Sequence, residues 1–238
     1  EQVAGGDPEK GFDYLKNGEY IGSGIPLEMI RRMKRLSGAP DTVLNREGRN
    51  ANLAYAVTAF AAENGVEVVN GNCFTCHASE FNGEIVVGLG NSFSDYRQNM
   101  SLMGKGLRLA MKLRYGKKSE EWAAYEDFGR YFEAMAPHIE TNQPGANPAA
   151  HLAEACVAFR DPEDLTYTDT PNYELPSYVL GSDVPPLWNV RKKNALYYTA
   201  VGRGDFSKLL FQASVLGIPD SAAAREAAAA VSVAGVRH

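Results

Sequence analysis

The sequence predicts a mostly α, single-domain protein with long irregular loops and little β structure. Three observations carry that expectation. Several segments repeat apolar residues at helical spacing, the β-branched runs are short, and residues 161–190 are rich in Pro, Asp, Thr and Tyr without periodicity. The chain has 238 residues, 45% hydrophobic and 22% charged, an ordinary globular composition able to bury a sizeable core. No repeat or composition break divides it, so residues 1–238 read as one domain.

The stretch up to Tyr20 is polar, with little periodicity. Residues 25–38, IPLEMIRRMKRLSG, read as a helix: Pro26 suits the first turn, Leu27, Ile30, Met33 and Leu36 share a stripe, and Gly38 ends it. Arg31, Arg32, Lys34 and Arg35 then form its solvated side. Residues 50–65, NANLAYAVTAFAAENG, give the clearest helix, Ala-rich with Leu53, Val57 and Phe60 on one stripe and Gly65 as its cap. VEVVNGN is short and β-branched, and GEIVVGLGNSF reads as a brief strand entering a glycine turn. RQNMSLMGKGLRLAMKLRYG, SEEWAAYEDFGRYFEAMAPHI and AAHLAEACVAFR are helical in pattern, and TNQPGANPAA is a loop. Residues 204–217, GDFSKLLFQASVLG, give a last amphipathic helix. SAAAREAAAAVSVAG beyond it has few core-facing side chains.

The net charge of −5 argues against a nucleic-acid binder, and no apolar run is long enough to cross a bilayer. EQVAGGDPEK reads like a mature end left after removal of a signal peptide. With three cysteines the chain is not a disulfide scaffold, and Cys156 reads as a buried thiol in a helix.

Two of those cysteines fall in NGNCFTCHASEFNG, residues 70–83, as Cys73-x-x-Cys76-His77. A tetrahedral zinc site needs a second ligand pair, whereas Cys156, His138, His151 and His238 are scattered singly. A thioredoxin-like dithiol needs a βαβ setting. Covalent attachment of haem c needs nothing further: two thioethers from Cys73 and Cys76, and His77 as the proximal iron ligand. One covalent haem c is therefore expected, and with it a periplasmic or extracellular location.

The segment GVEVVNGNCFTCHASEFNGEIVVGLGNSF resembles the N-terminal haem region of large bacterial di-haem c-type cytochromes, the group related to cytochrome c peroxidases and rubber oxygenases. DVPPLWNVRKKNALYYTAVGRGDFSKLLFQASVLG is similar to the Pro-x-Leu-x-Asn-Val segment that lines a haem there. The resemblance implies a cytochrome c-like haem domain in a bacterial protein. The chain has one Cys-x-x-Cys-His, so it is either a mono-haem protein or the N-terminal half of a di-haem one. It also has Tyr-Tyr-Thr-Ala-Val-Gly-Arg-Gly-Asp where the peroxidases often carry His-Asp-Gly.

Candidates for the opposite axial position are Met103, Met100 and His138, ahead of Met111, Met135 and His151, which read as core or structural residues. Tyr197 and Tyr198 are candidates to pack beside the ring, and Arg203 and Arg191 to pair with the propionates. The leading expectation is an electron carrier between redox partner proteins, another haem-containing chain among them. The alternatives are a haem subunit or half of a peroxidase- or oxygenase-like enzyme, which needs an open iron and a distal acid–base group, and a subunit of a multi-haem assembly. Glu80 and Glu84 follow the motif closely but read as surface residues.

Overall fold

Residues 50–65, expected to be a helix, instead form a turn and a strand. The structure, a computed structural model, describes residues 7–19, 21–33, 44–179, 181–196, 200 and 202–203. A 3-10 turn at Gly48–Asn50 leads into β2 (Val57–Ala61). The cause lies in two side chains at or just before the start of the segment. The Arg46 guanidinium donates to the carbonyls of Leu53, Ala54 and Val57 at 2.8, 2.8 and 2.6 Å, taking acceptors that helical bonds would need. Asn50 bonds both the N–H and the C=O of Ala59, at 2.7 and 3.3 Å. Val57, Thr58 and Phe60 suit the resulting pleat.

β2 pairs antiparallel with β3 (Glu67–Gly71), from Val57 opposite Gly71 to Ala61 opposite Glu67. Gly65 closes the hairpin at φ +83°. β1 (Ile25–Pro26) lies on the other edge of β3, giving the order β1-β3-β2. β1 takes the start of the segment expected to be a helix over 25–38, and α2 (Leu27–Arg32) follows it. Met33 caps α2, and residues 34–38 of that segment, with the helices expected at 204–217 and beyond, lie outside the described residues. A second hairpin joins β4 (Ala78–Phe81) to β5 (Glu84–Val87) through Asn82 and Gly83, whose φ values of +52° and +81° are those of a tight hairpin turn. β6 (Ala195–Leu196) and β7 (Gly202–Arg203) form a third small antiparallel pair.

The mostly α, cytochrome c-like fold expected from the sequence is therefore corrected. Among the described residues the fold is mixed, with three small antiparallel sheets. The cysteine motif is one helical turn, α3 (Phe74–His77), set between β3 and β4. The N-terminal stretch is also not irregular. α1 (Pro8–Asn17) starts where Asp7 accepts from the N–H groups of Glu9 and Lys10 and Pro8 takes the first turn.

The other expected helices form. α4 (Ser101–Tyr115) stops at Gly116, φ +81°. α5 (Glu120–Met135) is capped by the Ser119 hydroxyl, which accepts from Trp122 N–H at 3.0 Å. α6 (Ala149–Ala158) follows the loop, and residues 161–190 are largely irregular. α5 lies on the sheet through Ala124 against Phe60 and Val68, on α4 through Trp122 and Tyr125 against Met111, and on α6 through Tyr131 and Met135 against Ala155 and Cys156. Each large side chain buried this way contributes roughly 1.5–3 kcal/mol.

Candidate haem-attachment site

A four-residue helix cannot hold itself together, so the motif turn depends on its surroundings. Asn72 supplies the first restraint. Its Oδ1 accepts from Phe74 N–H, and its Nδ2 donates to the Tyr55 carbonyl and the Thr58 hydroxyl, each at 2.9 Å. The Thr75 hydroxyl donates to the Ala56 carbonyl at 2.8 Å, fastening the turn to the start of β2. Phe74 is buried with Leu44 and Ala78.

The carbonyls at the end of the turn are capped by the glycine-rich segment after β5. Gly88 N–H donates to the His77 carbonyl at 2.8 Å, Asn91 N–H to the Cys76 carbonyl at 2.9 Å, and Asn91 Nδ2 to the Thr75 carbonyl at 3.1 Å. That segment carries Trp188 and Pro185 to the site. Leu187 N–H donates to the Gly88 carbonyl, Trp188 Nε1 to the Val87 carbonyl, and a Cβ on Gly90 would collide with the Val184 carbonyl.

From the far side, Asn147 Nδ2 donates to Cys76 Sγ at 3.3 Å while its Oδ1 accepts from Ala149 N–H at 2.8 Å, at the start of α6. Asn147 also exchanges backbone hydrogen bonds with Ser182. The motif therefore sits where β3, the β4–β5 hairpin, the start of α6 and the irregular segment from Ser182 to Pro185 converge.

The chemistry of the donor set fits a covalent haem. Neither Cys73 nor Cys76 is in a disulfide, and both are partly accessible. Burial raises the proton affinity of Cys76, against the smaller lowering effect of the Asn147 bond. Burial lowers that of His77, and the nearby Pro185 carbonyl offsets this only partly, so the imidazole is held neutral, the form that ligates iron. His77 Nδ1 is buried and lacks a hydrogen bond of full geometry. The Pro185 carbonyl beside the ring is the acceptor that would orient it, as second-sphere carbonyls orient metal-bound histidines. Trp188 and Phe93, next to the segments that cap the turn, are exposed apolar rings of the kind a porphyrin would cover. Among the described residues no three His, Cys, Asp or Glu side chains converge as a metal-ion site.

The remaining sequence candidates are dispersed. Met100 packs with Tyr131, Met135 and Cys156, Met111 is buried with Trp122 and Tyr125, and Met103 is 52% exposed on α4. None shares the packing cluster of Phe74. His138 is half-buried and lies close enough to His151 for that ring to lower its proton affinity, after burial. His151 is buried, with Nε2 unpartnered and its ring edge-on to Tyr178. Arg203 is exposed and donates to the Ala200 carbonyl at 3.0 Å. Arg191 lies in a 3-10 turn, Val190–Lys192, with only its backbone described, and Tyr197 and Tyr198 lie outside the described residues. Glu80 and Glu84 are exposed on the β4–β5 hairpin.

Asn72, Asn91, Asn147 and Pro185 support the motif without having been singled out in the sequence. Asn72 carried a local signal, an Asn directly before the first cysteine. The others reach the site only through tertiary contacts. No protein family matches the chain, and neither a curated protein nor a solved structure matches it.

Proposed function

We propose that the chain carries one haem c on Cys73, Cys76 and His77, and that it passes single electrons between redox partner proteins outside the cytoplasm of a bacterium. The observation that carries this reading is the pinned turn itself. It presents two accessible thiols and a neutral imidazole in the order Cys-x-x-Cys-His, with every carbonyl from Thr75 to His77 occupied by residues 88–91. When bound, haem supplies a reversible one-electron couple. Cys73 and Cys76 would tether the ring. His77 would ligate the iron, with the Pro185 carbonyl fixing its orientation, and Trp188 and Phe93 would exclude water from the ring edge. Among the described residues no helix is long and apolar enough to cross a membrane.

The test is the absorption spectrum of the purified protein, oxidised, reduced, and reduced under carbon monoxide. A c-type spectrum unaffected by carbon monoxide is the expected result, since an electron carrier keeps both axial positions filled. Rapid carbon monoxide binding would transfer the assignment to an open-iron enzyme of the peroxidase or oxygenase kind, and no haem spectrum would refute both readings.

A further inference from the structure

We infer that the outward face of α4 docks the protein on an anionic lipid surface. The inference stands apart from the haem and rests on how α4 is oriented. Its inner face is fixed by packing: Met111 is buried with Trp122 and Tyr125, and Gly104 lets Phe132 approach so closely that a Cβ there would meet the ring at 3.2 Å. The opposite face, at helical spacing, is Leu102, Gly106, Leu109 and Leu113. These leucines are 83%, 56% and 77% exposed, far more than a helix face of a soluble domain normally leaves uncovered.

The flanks of that stripe are basic. Lys105 and Lys112 lie along one edge and Arg114 along the other, and the helix contains no acidic residue although the whole chain carries −5. Arg108 is engaged elsewhere, 3.5 Å from Glu133 and over the Trp122 ring. Among the described residues Lys105 and Lys112 form no ion pair. Lys118 extends the exposed positive surface beyond the helix end, while Lys117 lies over the Trp122 ring at 5.9 Å from its centroid.

An aliphatic stripe between lysines suits a bilayer interface better than a protein. The buried centres of protein interfaces are enriched in Tyr, Trp, Phe and Arg and depleted in Lys, whereas this face has leucines and no aromatic ring. At a lipid surface leucines enter the headgroup boundary while lysine stems extend along them and place their ammonium groups among phosphates. A second copy is disfavoured by charge: pairing α4 with α4 about a two-fold axis would bring Lys105, Lys112 and Arg114 against their own counterparts.

The experiment is flotation of the full chain with phosphatidylcholine vesicles, pure or containing about one-third phosphatidylglycerol. The protein should float with the anionic vesicles, remain behind with the neutral ones, and be released by salt. Each lysine near such a surface is worth roughly five-fold in partitioning, so Lys105→Gln/Lys112→Gln should weaken binding about 25-fold. Leu109→Gln/Leu113→Gln should weaken it at least ten-fold or so, with unchanged circular dichroism because both positions are exposed. Failure to float with anionic vesicles, equal flotation with neutral ones, or variants that bind like the parent would each overturn the inference. So would binding to soluble poly-glutamate as tight as to the vesicles, which favours an acidic protein. A doubled mass abolished by the leucine variant would reassign the stripe to a second copy.

Discussion

Replacing Asn72 with alanine removes three hydrogen bonds at once: the acceptor for Phe74 N–H and the donors to the Tyr55 carbonyl and the Thr58 hydroxyl, all at 2.9 Å. Asn72 is buried, so its partners lose their bonds without gaining water. At about 1 kcal/mol net for each, the substitution should cost about 3 kcal/mol. For a chain of this size that is a drop of roughly 6–12 °C in Tm. Thr58→Val removes the Thr58 bond alone, plus a weak one to the Lys16 carbonyl at 3.4 Å, and should cost about 1 kcal/mol. Because one bond is common to both, the double variant should cost less than the sum of the two by about 1 kcal/mol. Urea unfolding monitored by circular dichroism measures all three, and haem content per chain should fall in Asn72→Ala as the motif turn loosens. A cost under about 1 kcal/mol, or additive losses in the double variant, would refute the claim that Asn72 is the main anchor of the turn.

Gly90→Ala should push the Val184 carbonyl away, carry Pro185 from His77 and lower Tm, since the added Cβ meets backbone rather than a flexible side chain; an unchanged Tm would mean that the close approach is not maintained in solution. His138 has its proton affinity lowered by burial and then by His151, so its folded value lies below the usual 6.5. The native state then binds fewer protons than the unfolded one just below that pH, and its stability is flat above 6.5 and falls as the pH drops through the folded value. Urea midpoints of the parent should show this slope and those of His138→Gln a shallower one; identical slopes would exclude His138 as a source. Cys156 has its thiol pushed up to about 11, chiefly by burial, so it should resist iodoacetamide at mildly alkaline pH in the native protein and react only on unfolding. Rapid native alkylation of Cys156 would show that the packing of α5 on α6 opens readily.

The sequence revealed the helices whose amphipathic pattern runs long enough to survive any tertiary context: α4, α5 and α6 all form where the periodicity placed them. It misled over 50–65, where alanines outweighed Val57, Thr58 and Phe60. The deciding groups, Arg46 and Asn50, act on carbonyls and amides that local propensity does not see. α1 begins at Asp7 and Pro8, helix-start residues whose signal the lack of periodicity up to Tyr20 masks, and the β4–β5 hairpin turns at Asn82–Gly83, a strong hairpin signal between two short strands. At the site, Cys73, Cys76 and His77 were readable because adjacent spacing alone brings them together. Asn147 lies 71 residues from Cys76 in sequence and could be found only from the fold. The same holds for Pro185 beside His77, although it belongs to the DVPPLWNV stretch quoted for the family resemblance. Met100 and Met103 are candidates for the opposite axial position because they follow the motif closely in sequence, and packing sends them, like Met111, to different surroundings.

The central claim is that Cys73 and Cys76 hold haem covalently. The most direct measurement is the absorption spectrum, in alkaline pyridine with reductant, of the chain after unfolding and extraction with acidified acetone, run beside Cys73→Ser/Cys76→Ser. The account predicts a c-type haemochrome at one haem per chain in the parent protein and none in the double variant. A parent chain without haem, or haem that leaves with the solvent, would contradict it.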